Sequence, residues 1–407
     1  MTKPAFDPFD PKMFADPFPA YAALREEGGV PYCKGIISPY FVALRYDDVR
    51  EVAVNSERYT ARYGTGPIYM DPGALCEDGP EHVAFRMMVQ ARFAPKSMQR
   101  LQEPLTGFVA NLIDDMVAGG ARGADFNQAL ALPLPVKTTQ HLLGGYDVNY
   151  RELARLADRS MYHSRYGGDP DVIARMRWRI AEVFDKWIDD REALLREAGI
   201  DAPDRSHIGS VLPDDVTSDL LAGRWEGRRL TRAELHKMLI VMLVGGIETT
   251  NHLIGNCVWR LLEDRARWEA VLADQDRLIP VAIEESLRFD PPGLGLWRTT
   301  LREIEMQGET IPAHTKVQMA YAAANRDPRV FPDPDSFRLD RPMTEMRRHL
   351  SFGAGPHTCV GQYLARLEAQ LTLKALFERL PSLRLAGETE RVENFSFWGR
   401  RRLPVGW

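Results

Sequence analysis

At 407 residues and 46.1 kDa the chain exceeds the usual length of one domain, and its 44% hydrophobic and 27% charged residues exclude a disordered or fibrous protein. Its 57 acidic against 52 basic residues leave a net charge of −5 with no long basic block, so a nucleic-acid partner is not expected. Four cysteines, Cys33, Cys76, Cys257 and Cys359, stand far apart with no C-x-x-C pair, which fits neither a disulfide scaffold nor a zinc ribbon. The first residues are too polar for a signal peptide, and the longest apolar run, Met238–Val244, is far short of the roughly 20 residues a bilayer needs. A cytoplasmic protein without a membrane partner is expected.

No fixed-period repeat or Pro/Gly-rich linker divides the chain. Along it, Tyr40–Leu44 reads as a strand, and helical patterning dominates from about Pro104 to Phe289, including the amphipathic stretch Val172–Ala198. Thr231-x-x-Glu234 is a capping-box start, and the absence of proline until Pro280 predicts a helix from Arg232 to about Asp264, roughly 50 Å long at 1.5 Å per residue. Glu303–Met306 with Thr310–Ile311 around Gln307-Gly308 suggests a hairpin, followed by a strand at Lys316–Met319. The fold class is therefore mainly α with small β-sheets.

Within the long helix lies Gly245-Gly246-Ile247-Glu248-Thr249-Thr250, where each glycine costs roughly 0.8–1.0 kcal/mol relative to alanine. Two readings stay open. A flat ligand could lie on the bare backbone while threonine hydroxyls bond back to carbonyls and open the helix, or a neighbouring helix could pack closely there.

The most specific segment is Phe352-Gly353-Ala354-Gly355-Pro356-His357-Thr358-Cys359-Val360-Gly361. Two glycines and a proline make it a loop, and Val360, Tyr363, Leu364, Leu367 and Leu371 then recur at helical spacing until Pro381. Cys359 is thus expected at a helix N-terminus, where free N–H groups favour a thiolate suited to metal ligation or nucleophilic attack; a buried structural cysteine is the alternative.

This stretch resembles the F-x-x-G-x-x-x-C-x-G motif of the cytochromes P450, with Phe352, Gly355, Cys359 and Gly361 in place and Leu364-Ala365-Arg366-x-Glu368 following as in bacterial members. Three further resemblances keep the family's order: His82-x-x-x-Arg86 of the C helix, Gly245-Gly246-x-Glu248-Thr249 of the I helix, and Glu285-Ser286-Leu287-Arg288 of the K helix. Phe331-Pro332-Asp333-Pro334 and Phe337 match its meander.

The resemblance implies a single haem domain over residues 1–407 carrying haem b, with Cys359 as the iron ligand. It implies cofactor contacts from His82, Arg86, Gly245, Arg298, Phe352, Gly353, His357 and Gly361, and a proton-relaying acid–alcohol pair in Glu248 and Thr249. Glu285 and Arg288 are assigned a structural role, and Cys33, Cys76 and Cys257 none in catalysis. By resemblance the substrate pocket draws on Thr60–Gly79, Met161–Trp187, Val241, Val244, Gly293–Trp297 and Phe395–Phe397. Met242, Leu243, Leu294, Leu296, Phe395 and Phe397 suggest an apolar guest, and Arg62 and Tyr63 could meet an acidic group on it.

The implied activity is insertion of one oxygen atom from O2 into an apolar small molecule. At this length nothing is left for a flavin or iron–sulfur domain, so electrons would come from a ferredoxin and its NAD(P)H-dependent reductase. Arg92, Arg100, Arg347, Arg348 and Arg366 would form the cationic docking face. A peroxide-using relative of the same fold and a non-enzymatic haem sensor or carrier are the alternatives; Glu248-Thr249 argues against the first.

Overall fold

The long helix begins where the capping box places it: the Glu234 carboxylate accepts the Thr231 N–H at 2.7 Å, and the Thr231 hydroxyl accepts the Glu234 N–H at 3.3 Å. In the computed structural model, which describes residues 6–34, 38–145, 148–156 and 170–407, this helix runs unbroken from Arg232 to Glu263. Helices Pro133–Leu143, Gln275–Phe289 and Gln362–Arg379 pack directly on it, and Pro95–Val117 packs on the last of these.

Burial along the helix explains the arrangement. Its second half sinks Leu253, Ile254, Cys257, Val258 and Leu261 into a core with Trp268, Leu287 and Phe377. Its first half places Leu235, Met238, Met242 and Leu243 against Phe85, Phe184 and Trp187. Cys257 is thus core, as expected. Met242 and Leu243 are buried in the same cluster, so packing within the protein accounts for both without a guest. An 18-residue window of this helix is apolar enough to cross a bilayer, but 61% of it is buried in the protein, the signature of a core helix.

Helix Pro95–Val117 begins nine residues before the expected Pro104, which lies in its interior. The buried stripe Met98, Leu105, Val109, Leu112, Ile113 and Met116 outweighs the proline's local penalty.

A five-stranded sheet orders Tyr32–Cys33, Tyr40–Ala43, Lys316–Met319, Leu296–Thr300 and Tyr59–Thr60. Lys316–Met319 pairs parallel with Tyr40–Ala43 and antiparallel with Leu296–Thr300. The hairpin pairs Ile304–Met306 with Glu309–Ile311; Gln307 (φ 51°) and Gly308 (φ 77°) are both left-handed, as a type I′ turn requires. Other ladders, such as Gly123–Asp125 with Pro404–Gly406, are too short to leave an alternating pattern in the sequence.

Glu285 and Arg288 are fully buried and paired at 2.8 and 2.7 Å. Arg341 adds a second guanidinium to Glu285 at 3.2 Å, and Arg288 also donates to the carbonyls of Asn325, Pro334 and Ser336. The Gln275–Phe289 helix is thereby bolted to the irregular segment 325–341. Arg288→Leu should lower unfolding free energy by roughly 3–5 kcal/mol, because Glu285 loses its closest partner. A urea midpoint equal to wild type would refute that role.

Glu368, on the helix after Cys359, is 1% exposed, and burial pushes its carboxyl up to about 8, with Thr138 the only offsetting group. The native state therefore keeps a proton that the unfolded chain releases near pH 4.5, so Glu368 erodes stability as pH rises from 4.5 towards 8. Glu368→Gln should gain on wild type across that window, by a few kcal/mol at most. A stability difference that does not vary between pH 5 and 8 would contradict this.

Candidate active site

Positive φ angles at Gly353 and Gly355, both 70°, turn the loop ahead of Cys359. A Cβ on Gly355 would stand 2.8 Å from the Val54 Cα, so only glycine lets the loop approach the Tyr46–Val54 helix. The Cys359 N–H donates to the Phe352 carbonyl at 2.8 Å and closes the loop.

The following helix begins only at Gln362, with Gly361 as its cap. Cys359 thus stands two residues ahead of the helix cap, at the N-terminal end of the helix. Its side chain is exposed yet surrounded by protein, so the sulfur faces an internal recess rather than bulk solvent. Burial pushes the thiol up, against the Gly361 N–H and the charges of Arg86 and Arg366. Cys33 and Cys257 are buried, and burial raises the Cys76 thiol to about 11.

The double glycine divides into two roles. A Cβ on Gly246 would stand 2.8 Å from the Thr139 hydroxyl, so Gly246 serves close helix packing. A Cβ on Gly245 would meet nothing within 4 Å, and Gly245 is exposed, so its backbone offers an open, flat surface. The Thr249 hydroxyl donates to the Gly245 carbonyl at 2.9 Å, and the helix stays closed through this stretch rather than opening. Glu248 is half-buried, and Val244 and Val241 are half-buried about one and two turns earlier.

The four expected cationic contacts fall into two pairs. His82 and His357 pack at 4.2 Å between ring centres. His82 places Nδ1 and Nε2 each 3.1 Å from the carbonyls of Leu75 and Pro356, and burial holds its pKa below the ordinary histidine value. His357 Nε2 lies 2.9 Å from Asp78, which the Thr60 hydroxyl also meets; these two hydrogen bonds outweigh burial and hold the Asp78 carboxyl down. Both histidines are therefore committed to protein groups.

Arg298 and Arg86 are not. Arg298 is 5% exposed; among the described residues it forms no ion pair, its guanidinium donates to the adjacent Trp297 carbonyl, and its charge helps to lower the Asp78 carboxyl. Half-buried Arg86 makes no hydrogen bond or ion pair among the described residues. A buried guanidinium without a carboxylate is costly unless an anion joins it.

Around Phe352, the ring lies 4.5 Å from the Arg366 guanidinium. Arg366 is held by Glu284, which His349 meets from the other side; together they overcome burial and bring that carboxyl down to about 2.

Other expected positions are occupied by protein contacts. Arg62 donates to Glu77 at 2.7 Å, so the idea of an acid-binding arginine loses its free cation; Tyr63 is 38% exposed. Phe395 packs on Trp297 and Phe9, Phe397 packs on His252, and Leu294 is buried, whereas Leu296 is half-buried. In the Met161–Trp187 segment, Trp187 is core and residues 161–169 lie outside the described residues. Glu284 escaped sequence reasoning, and Thr60, Leu75 and Asp78 were named only as part of the Thr60–Gly79 stretch, because the contacts of Asp78 with His357 and of Glu284 with Arg366 join segments distant in the chain.

The cytochrome P450 family model matches residues 171–392. Nocardicin C N-oxygenase of Nocardia uniformis subsp. tsuyamanensis is 32% identical, covering 98% of each chain. The steroid C26-monooxygenase of Mycolicibacterium smegmatis is 30% identical over 89% of this chain and 86% of its own. The structure of cytochrome P450 CYP109Q5 from Chondromyces apiculatus superposes with a TM-score of 0.84 at 26% identity, covering 99% of this chain and 98% of that one. The family binds haem b through a cysteine thiolate, and the residues here fit that group. The Cys359 sulfur faces a recess, Gly245 presents bare backbone, and two arginines await an anion. The chain belongs to the cytochrome P450 family of haem-thiolate monooxygenases.

Proposed function

We propose that this P450 inserts one oxygen atom into an apolar small molecule, by hydroxylation or O-demethylation of a terpenoid, aromatic or steroid-like compound. Electrons would come from a separate ferredoxin with an NAD(P)H-dependent reductase. The observation that carries the reading is the Cys359 sulfur on the loop that leads into the Gln362–Arg379 helix, which packs against the Glu248-Thr249 helix.

Haem, when bound, supplies the reductive activation of O2 that a thiolate-ligated iron favours. The chain's own residues do the rest. Cys359 ligates the iron, Arg86 and Arg298 neutralise the propionates, with His82, His357 and Asp78 bracing that side, and Gly245 lets a flat ring lie against the helix.

Glu248 and Thr249 deliver protons, for which the Thr249 hydroxyl turns away from the Gly245 carbonyl that now accepts it. Val241, Val244 and Leu296, half-buried, line the side that receives substrate, and the loop between Thr60 and Gly79 borders it. Apolar walls keep bulk water from the proton path. The relatives named for N-oxygenation and for steroid C26 oxidation support an organic substrate without choosing between these classes.

For the electron donor, Arg100, Arg347 and Arg348 are exposed and available. Arg92 is bound by Asp214 and Asp219, and Arg366 by Glu284, so neither presents a free charge.

Three outcomes test the reading. Cys359→Ser should abolish the red-shifted Soret band of the reduced carbon monoxide complex, while Cys257→Ser keeps it; the reverse pattern sinks the ligand assignment. Thr249→Ala should keep oxidising NADH with surrogate partners while product per NADH falls and hydrogen peroxide appears, and Glu248→Gln should slow turnover instead. Full coupling in Thr249→Ala would move the proton path elsewhere. Charge reversal at Arg100 or Arg348 should raise the ferredoxin KM and flatten its salt dependence, since surface attraction is screened over roughly 8–10 Å. Unchanged salt profiles in both variants would exclude this face.

A further inference from the structure

Lys316 is fully buried in the middle of the five-stranded sheet, and among the described residues no carboxylate pairs with it. Burial, with Arg298 nearby, pushes its ammonium down to about 7. A buried lysine without a counter-ion is rare, so the use made of its protons matters. Its Nζ donates to two successive carbonyls, Tyr63 at 2.8 Å and Gly64 at 2.7 Å, and lies 4.9 Å from the centre of the Tyr69 ring. Two of the ammonium's three donors are thereby taken by backbone carbonyls of one loop, and the Tyr69 ring faces the same group.

All three contacts lie on one stretch of chain. Residues 61–73 contain no helix or strand. Within them Gly64 turns at φ 91°, and the Met70 N–H bonds back to the Tyr63 carbonyl. Tyr69 donates to the His314 carbonyl at 2.6 Å, two residues before Lys316, and the Trp297 N–H donates to the Thr65 carbonyl at 3.0 Å. At the far end Lys237 of the long helix meets Asp71 at 3.0 Å. Lys237 and Asp71 are both exposed or nearly so, so that tie is weak. Charge-assisted bonds from a buried ammonium are the strong ones.

We infer that Lys316 is a positioning residue for substrate: anchored in a central strand, it fixes how closely residues 61–73 approach the site, and so which guests fit. The inference rests on the reading that this loop borders the substrate side. Lys316 acts on the loop and does not touch the iron site, so its loss should discriminate between small and bulky guests.

The test uses haem-loaded wild type, Lys316→Met and Lys316→Arg, with imidazole and 4-phenylimidazole as probes of the ferric protein and trypsin cleavage after exposed Arg62 as a probe of the loop. Lys316→Met should keep the reduced carbon monoxide band and bind imidazole within about twofold of wild type, but bind 4-phenylimidazole about tenfold more weakly, as both hydrogen bonds to the loop are lost and part of that loss reaches the bulky guest. Cleavage after Arg62 should quicken, and Lys316→Arg should restore part of the 4-phenylimidazole affinity.

Equal weakening of both probes would show a general structural role and overturn the inference. Faster cleavage with both probes unchanged would mean that the loop does not border the site, overturning the inference together with the pocket reading it rests on. Unchanged cleavage and unchanged probes would show that Lys316 does not hold the loop. Should Lys316→Met fail to fold with haem, Tyr69→Leu removes the ring that the ammonium faces. It should weaken 4-phenylimidazole about threefold, and no change there would overturn the inference equally.

Discussion

A carboxylate with no access to water, Glu285, is the constraint on which the haem-binding half depends. Two guanidiniums, Arg288 and Arg341, and the Arg338 N–H answer it. From Arg288 a line of hydrogen bonds leads to the cysteine loop. Arg288 donates to the Asn325 carbonyl, the Asn325 side chain accepts the Leu350 N–H and donates to Ser351 Oγ, and Ser351 returns to the Leu287 carbonyl. Phe352 and Cys359 follow within eight residues of Ser351. The irregular segment has almost no secondary structure to define it, so this polar line does so, and a buried charge cannot leave it without large cost.

Electrostatics divides the site into a satisfied side and an unsatisfied one. Asp78, His357, His82 and the Leu75 and Pro356 carbonyls answer one another, which makes them a brace. Among the described residues Arg298 and Arg86 form no ion pair, which makes them receptive to an anion. Lys316 resembles Arg298 in burial and charge, yet two of its donors go to backbone carbonyls of the 61–73 loop. Burial alone therefore does not separate a cofactor contact from a loop anchor; what the donors already meet does.

Loop chemistry was legible because glycine and proline act locally. Phe352–Gly361 announced a turn ahead of a helix, and Gly353 and Gly355 adopt the left-handed backbone that only glycine accepts freely. The capping box and the gap in prolines predicted the long helix to within one residue of its observed end, since both signals act within a few residues. The two-residue ladders and the early start of Pro95–Val117 were not legible, because partners and packing distant in the chain decide them.

Sequence by itself determined the motif-bearing loop, the long helix, the cysteine with a distinctive context and the family resemblance, all of which rest on local spacing. Tertiary structure alone decided that Gly245 is open while Gly246 packs on Thr139, and that Met242 and Leu243 are core. It also showed that Arg62, Arg92 and Arg366 are already paired, whereas Arg86 and Arg298 form no ion pair among the described residues. The physical reason is the same in each case: whether a side chain is available for chemistry depends on what occupies its contact sphere, and those neighbours come from segments tens to hundreds of residues away.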